Sequence, residues 1–531
     1  MNIILVAINA KFIHSSLAAH SLYAYLEEEK KHVRVKEFTV NQQEDLIVSE
    51  LFNLKPDVLA FSCYVWNIGM VLSIAEIFKK IMPEVKIIAG GPEVSYDCGY
   101  LDIDVVVAGE GEKAFKSLVS ALLNSEALPR VYQSKKGIPL EDIPFPYQNG
   151  FDGFKNRIIY YESSRGCSNH CGYCLSSAEQ GVRFLPIHRV KEDLTVFLSE
   201  KIKQVKFVDR TFNCNKQHAM GIWEYLIQND NGITNFHFEI SGELLDGRMI
   251  DLIRQAREGL FQFEIGVQST NSTTLTAIRR DTDTAKLLEN VRKLKILGNI
   301  HLHLDLIVGL PYEDHSSFVQ SFNDVMACFP HQLQVGFLKL LKGSALRKNT
   351  AKYGIKFRSN APYEILENDF MGFEMVDRLK KIEHMVALFY NSGNFKAYMH
   401  FMIPRFKTPY DFFDALSVYW EENRFHLAAH KKSALYTILY AFGKKDRLIC
   451  ELLKFDMLTR ENLKTFPNWI SEYYRYDAKQ ITKTTATHTF EYDICTWLEG
   501  PPAAPLQKIE TKILFDYTTL LFSPISSAFD H

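Results

Sequence analysis

The run Arg165-Gly-Cys-Ser-Asn-His-Cys-Gly-Tyr-Cys174 sets Cys167, Cys171 and Cys174 in a C-x3-C-x2-C spacing. Three thiolates this close can hold three irons of a [4Fe–4S] cluster and leave the fourth iron open. An open iron is a place for chemistry. Zinc is the other metal that thiolates favour, but it wants a fourth ligand, and His170, directly beside Cys171, is awkwardly placed to ligate together with it. The strand-like segment Arg157–Ser163 leads directly into this loop.

Reading outward toward the C-terminus, strands and helices alternate from 157 to about 345. The further strands are expected at Gln204–Asp209, Asn235–Ser241, Gln262–Gln268, His301–Leu306 and Gln334–Leu340, six in all with Arg157–Ser163. Active-site residues of such a unit lie at the carboxyl ends of its strands. Upstream, residues 1–125 alternate strands (Ile3–Ala7, Val33–Phe38, Val58–Ser62, Val85–Ala89, Val105–Ala108) with amphipathic segments such as Leu17–Glu29 and Ile68–Met82. That is the rhythm of an open, doubly wound parallel sheet, whose ligands sit beyond the strand ends. Those ends read Asn9–His14, Ser62–Asn67, Gly90–Glu93 and Gly109–Glu112. The proline-rich stretch Gly137–Tyr147 reads as a linker. Beyond 360, residues 375–392 and 409–444 read as aromatic-rich helices and 478–521 as strand-rich, with a Pro501-Pro-Ala-Ala-Pro505 break. Phe412–Trp420 reads as helix core, or as a cover over a substrate cavity. The expected architecture is α/β throughout 1–135 and 157–350, joined by a linker at 136–156, with a mixed α+β domain at 360–531.

The 531 residues are 47% hydrophobic, enough for several cores, and carry a net charge of −2. Nothing in that balance attracts nucleic acid. No apolar stretch reaches the length of a membrane span, and Met1–Ala7 lacks the basic region of a signal peptide. Nine cysteines, only three of them clustered, point to a reducing cytoplasm rather than a disulfide framework.

The cysteine run, with Tyr173 just before its last cysteine, resembles the signature of the radical S-adenosylmethionine (SAM) enzymes. The resemblance implies a partial (β/α)6 barrel with the cluster loop after its first strand. It implies that the open iron chelates SAM, and that an electron from a reductant such as flavodoxin or ferredoxin splits SAM into methionine and a 5′-deoxyadenosyl radical. Four later stretches resemble the family's strand-end motifs in order: Phe207–Phe212, Glu239–Glu243, Glu264–Ser269 and Asp305–Pro311. They imply Tyr173, Asp209, Glu243, Glu264, Gln268 and Ser269 as residues around SAM, with Asp209 and Arg210 facing the cavity. Cys214 is expected to line the pocket, or to donate a hydrogen atom.

The first domain resembles cobalamin-binding domains. In these, a serine after the third strand and a Gly-Gly pair after the fourth contact the nucleotide tail of the corrin; Ser62 and Gly90-Gly91 match them. Glycine there allows close backbone approach. Tyr64, Trp66 and Asn67 are expected under the corrin. The Asp-x-His-x-x-Gly motif that supplies a lower axial histidine is missing, so the cobalt is expected to lack that ligand, and His14 is not its substitute. The two cysteines of this domain, Cys63 and Cys98, are too few for the second cluster of the methylthiotransferases. The implied activity is a cobalamin-dependent methyltransferase acting on an unactivated carbon of a small-molecule or peptide substrate. Two alternatives remain: a radical SAM rearrangement or cyclisation without methyl transfer, and a non-catalytic iron–sulfur redox or binding module. The tail resembles a poorly characterised C-terminal domain of one group of these proteins.

Overall fold

The apolar runs near the N-terminus become strands buried on both faces, as a parallel sheet covered by helices requires. The computed structural model describes residues 1–525 apart from 135–136, 179–180, 481, 483 and 502–503. Its first sheet has strands β1 (Ile3–Asn9), β2 (Val33–Thr39), β3 (Val58–Ser62), β4 (Lys86–Gly90), β5 (Val105–Ala108) and β6 (Val131–Gln133) in the order β2-β1-β3-β4-β5-β6. Every pairing is parallel. Successive side chains point to opposite faces, so Ile4, Val6 and Phe61 meet the helix Ile68–Ile81 on one side. Ile3 and Leu5 meet Ala19 and Leu118 on the other. Strand β6 was not expected from the sequence; it is short, and none of its three residues is buried. The strand order reverses between β1 and β3, the switch point at which such sheets bind ligands.

The second sheet contains β7 (Ile159–Tyr161), β10 (Gln204–Phe207), β11 (Asn235–Ile240), β12 (Phe261–Gln268), β13 (His301–Val308) and β14 (Gln332–Phe337), ordered β14-β13-β12-β11-β10-β7. This is the expected six-strand sequence, and the pairs from β7 to β13 are parallel. A small antiparallel hairpin of β8 (Ser164–Gly166) and β9 (Val182–Phe184) brackets the cysteine loop. Strand β12 alternates strictly. Phe261, Phe263, Ile265 and Val267 are buried, while Gln262, Glu264, Gly266 and Gln268 are half-buried on the opposite face. The buried side joins an aromatic layer in which Phe238 packs against Phe207 at 4.5 Å and Phe212 at 4.4 Å, centroid to centroid.

Contact density separates two compact units, Met1–Phe318 with Gly336–Val376, and Val319–Val335 with Asp377–His531. Both sheet-ending loops discussed below belong to the first. Within it, the loop after β1 joins the edge of the second sheet: Ile158 N–H donates to Ile13 O at 2.7 Å, and Ser15 Oγ to Ile158 O at 2.8 Å. The linker is better ordered than its prolines suggest. Tyr147 is buried and donates to Tyr160 O at 2.6 Å.

The second unit is built on helices Pro409–Glu422, Lys432–Phe442 and Arg447–Leu458 and an antiparallel sheet of Lys479–Gln480, Thr485–Phe490, Thr511–Asp516 and Leu521–Pro524. Thr408 caps the first helix, accepting from Asp411 N–H, and Pro409 occupies its first turn. Phe412, Phe413, Leu416 and Trp420 are buried, so this stretch is helix core. The region expected to be strand-rich also holds the helix Ile494–Glu499. The middle of the Pro501–Pro505 break lies outside the described residues. No described helix is long and apolar enough to cross a membrane.

Candidate active site

Gly166 turns the chain from β8 into the cysteine loop at φ +105°, where a Cβ would collide with the Gly181 carbonyl oxygen. The loop is then pinned at its middle. Gly172 N–H donates to Ile278 O and Leu346 N–H donates to Gly172 O, both at 2.7 Å. Cys167 and Cys171 are buried and Cys174 is half-buried. Two sulfurs already face donors: Asn169 N–H to Cys167 Sγ at 3.4 Å and Arg280 Nη1 to Cys171 Sγ at 3.7 Å. Burial pushes the Cys171 thiol up, and the Arg280 guanidinium opposes that shift. With His170 exposed, three clustered thiolates without a fourth ligand suit a polynuclear iron–sulfur centre better than a four-coordinate zinc knuckle.

Arg165, two residues before Cys167, is held by three carboxylates: Glu162 and Glu112 at 2.7 Å each, and Glu110 at 3.2 Å. Burial alone would lower its pKa; Glu162 and Glu112 outweigh this and hold it well above the ordinary arginine value. Glu110 and Glu112 follow β5, so the cysteine loop is tied to the carboxyl end of the first sheet. Neither Arg165 nor Arg280 stood out as functional in the sequence. Only contacts across 53 and 109 residues reveal them.

The residues expected around SAM divide into two groups. Tyr173 packs beside Leu275, Ile278 and Leu338 under the loop. Glu243 accepts from Ser241 Oγ at 2.7 Å, and its Oε2 has no hydrogen-bond partner. Gln268 ends β12 with φ +70°, at a bulge opposite β13. Tyr173 thus lies in the cysteine loop, Glu243 just after β11 and Gln268 at the end of β12. The other three are engaged by protein groups. Asp209 does not face the cavity: it is 1% exposed and accepts from the Ser163 and Ser164 hydroxyls at 2.6 Å each, bracing the foot of the cysteine loop. Ser269 is fully buried, and its hydroxyl donates to Glu313 at 2.5 Å. Glu264 lies four residues below the end of β12, bound by Lys206 Nζ at 2.8 Å with His237 Nε2 at 3.0 Å. Cys214 lines an open hollow with Ser168, Phe184 and Lys216.

On the first sheet, Ser62 and Gly90 are register partners at adjacent strand ends. Tyr64 and Trp66 stack at 4.3 Å with 6° between their planes, and Trp66 is 47% exposed. Phe12 and Ile13 are exposed at the end of β1. A flat aromatic pair beside open strand ends suits a large planar ring. One expectation changes. Asn67 is 1% exposed; its Nδ2 donates to Ile8 O and Ser62 O, so it locks the turn and does not face a ligand. At Gly91, φ is +113° and a Cβ would lie 2.6 Å from Cys63 O. Backbone packing by itself already demands glycine there. His14 Nδ1 is engaged by the Tyr160 hydroxyl at 2.7 Å.

The two strand-end regions meet. Val65, in the loop after β3, packs on the same apolar cluster as Tyr173 of the cysteine loop.

Comparison with known proteins agrees with this geometry. Residues 3–119 match the B12 binding domain, 161–325 the radical SAM superfamily, and 351–518 a protein family of unknown function, DUF4080. The cobalamin-dependent radical SAM methyltransferase TokK of Streptomyces tokunonensis is 26% identical over 64% of this chain and 56% of its own length. The 2-(S-pantetheinyl)-carbapenam-3-carboxylate methyltransferase of Streptantibioticus cattleyicolor is 26% identical over 52% of this chain and 46% of its own. The chain thus spans about half the length of these curated relatives. In fold it is similar to the cobalamin-dependent radical enzyme OxsB with aqua-cobalamin bound (TM-score 0.58, 13% identity, 86% of this chain and 79% of that one). It is also similar to the radical SAM methyltransferase TsrM of Kitasatospora setae with cobalamin and a [4Fe–4S] cluster bound (TM-score 0.52, 15% identity, 68% and 81%).

Proposed function

We propose that this chain, a radical SAM protein with an N-terminal B12-binding domain, is a methyltransferase that places a methyl group on an unactivated carbon. Its cofactors are a [4Fe–4S] cluster, SAM and cobalamin. When bound, they supply hydrogen-atom abstraction and a transferable methyl group; the difficult chemistry is theirs, and the protein's part is placement.

One observation carries the reading. Val65 from the loop beside Ser62 and Tyr173 from the cysteine loop pack on one apolar cluster, and the Arg165 ion pairs tie the cysteine loop to Glu110 and Glu112 at the end of β5 in the same first sheet. A reaction that uses both cofactors on one substrate needs both loops against one space. Cys167, Cys171 and Cys174 hold the cluster. Tyr173, Glu243 and Gln268 surround SAM, with the free Glu243 oxygen placed for an ammonium. Ser62, Gly90 and Trp66 receive cobalamin. The apolar walls under the cysteine loop, Leu275, Ile278 and Leu338, exclude water from the space where reactive species form. The substrate is a small molecule or a peptide segment, and the electron comes from a flavodoxin- or ferredoxin-type donor.

The test uses the anaerobically reconstituted protein with cobalamin, strong reductant and SAM labelled in its methyl group. Formation of 5′-deoxyadenosine together with movement of label onto cobalamin is the expected result. Cleavage of SAM without movement of label would replace methyl transfer by rearrangement or cyclisation. No cleavage under any reductant would leave a redox or binding module.

A further inference from the structure

On the polar face of the second sheet, below the strand ends, two imidazoles and a carboxylate converge. The parallel registers pair Lys206 with His237, Glu239 with Glu264, and Glu264 with His303. With side chains alternating along each strand, all of these share one face. His237, Glu264 and His303 each offer one ligand-type atom, and the three atoms lie within 4.8 Å of one another. His237 Nε2 is 3.0 Å, and His303 Nδ1 4.0 Å, from Glu264 Oε2. Ligands about 2.1 Å from a shared ion stand roughly 3.0–4.2 Å apart.

Three further features favour an ion here. His237 and His303 are only 7% and 6% exposed, and His237 Nε2 has no hydrogen-bond partner, its approach to Glu264 being off-angle. The other nitrogen of His303, Nε2, lies 3.1 Å from Asp305 Oδ1, close to it but, like His237 Nε2, outside hydrogen-bond alignment. A carboxylate behind the far nitrogen of an imidazole is how ligating histidines are oriented. Finally, the carboxylates Glu239, Glu264 and Asp305 gather around Lys206, whose ammonium is 2.8 Å from Glu264 and 3.8 Å from Glu239, with Arg210 also acting on Glu239.

We propose that His237, Glu264 and His303 form a site for a divalent first-row transition metal of the zinc or ferrous class, separate from the cysteine loop. Two imidazoles and one carboxylate suit such ions. Lys206 is the stand-in cation of the metal-free chain. On loading it leaves Glu264 for Glu239, which already lies within reach. Asp305 is a positioning residue for His303. The site stands whether or not the methyltransferase reading does, since none of its residues belongs to the cysteine loop or the first sheet.

The experiment titrates the anaerobically reconstituted, chelator-dialysed holoprotein with Zn²⁺ and measures zinc and iron per chain. The expected result is one tightly held zinc with the iron content unchanged. In His237→Ala or His303→Ala that zinc is lost while the iron remains. Asp305→Asn weakens zinc binding about 10–100-fold. Lys206→Met, which touches no proposed ligand other than Glu264, strengthens it. Wild-type protein that retains no zinc, zinc that enters only as iron leaves, or equal zinc in wild type and the His237→Ala/His303→Ala double variant would each overturn the proposal. Should the histidine variants not fold, an affinity unaltered in both Lys206→Met and Asp305→Asn overturns it equally.

Discussion

Arg165 Nη2 lies 2.7 Å from Glu112 Oε1, joining the root of the cysteine loop to the helix that follows β5. Glu110 and Glu162 complete a largely buried cluster around Arg165, with Arg183 on the far side of Glu110. A buried pair adds little net stability when intact, but removing one member leaves an uncompensated charge. Arg165→Ala should therefore destabilise the first unit by about 3–5 kcal/mol. It should also lower iron retention. Arg183, more exposed and paired with Glu110 alone, should cost about 1 kcal/mol or less on the same change. Denaturant unfolding of the two variants separates these outcomes; equal losses would deny Arg165 its role.

On the proposed function, the cluster is expected to depend on Cys167, Cys171 and Cys174. Reconstituted protein should hold about four irons and four sulfides per chain. Cys167→Ala, Cys171→Ala and Cys174→Ala should each lose the cluster and SAM cleavage, whereas Cys214→Ala should keep both. Iron and sulfide analysis with 5′-deoxyadenosine measurement checks this, and a triple variant that still cleaves SAM would refute it.

Gly91→Val must push the loop away from the Cys63 carbonyl while also accepting a backbone angle that valine avoids. The displaced loop carries Gly90, the partner of Ser62. The variant should lose cobalamin after gel filtration yet keep its iron, both read from one absorption spectrum. Normal cobalamin content in a folded Gly91→Val protein would remove these strand ends from the site.

His14 is occupied by Tyr160, and burial lowers its pKa. The cob(II)alamin form should therefore show electron paramagnetic resonance lines without nitrogen superhyperfine splitting. His14→Ala should leave them unchanged. Splitting that disappears in the variant would make His14 the lower ligand.

In the second unit, Asp456 is fully buried and accepts from Ala397 N–H at 2.9 Å and Tyr398 N–H at 3.0 Å. Burial pushes its carboxyl from 3.8 up to about 7. A group that binds its proton more tightly when folded stabilises the fold most below its unfolded pKa. That contribution is lost as pH rises to 7, by about 4 kcal/mol at most. Urea midpoints of wild type should fall over that range relative to Asp456→Asn, and parallel curves would show that Asp456 does not titrate there.

Much of this was legible in the chain because it is local. Val58–Ser62 and Val105–Ala108 are strands with the expected limits, since a fully buried apolar run bounded by Pro56-Asp57 or Gly109 has little alternative. The cysteine spacing is local too, three thiols within residues 167–174. What escaped was non-local. Asp209 and Ser269 sit at strand ends where a polar side chain can turn either way; Ser164, 45 residues away, and Glu313, 44 residues away, decide it. His237 and His303 meet only because three strand registers align them. The helix Arg447–Leu458 is buried on every side from Ile449 onward, so even its polar face of Glu451 and Lys454 is covered by distant parts of the chain.

The second unit is discontinuous. Tyr410 N–H donates to Asn323 Oδ1 at 3.0 Å, and Phe322 packs on Phe413 at 5.9 Å, so residues 319–335 belong to it although they precede it by some forty positions. A C-terminal module of this kind cannot be transplanted as a simple tail. Cutting the chain near residue 360 strands Phe322 and Asn323 without their neighbours.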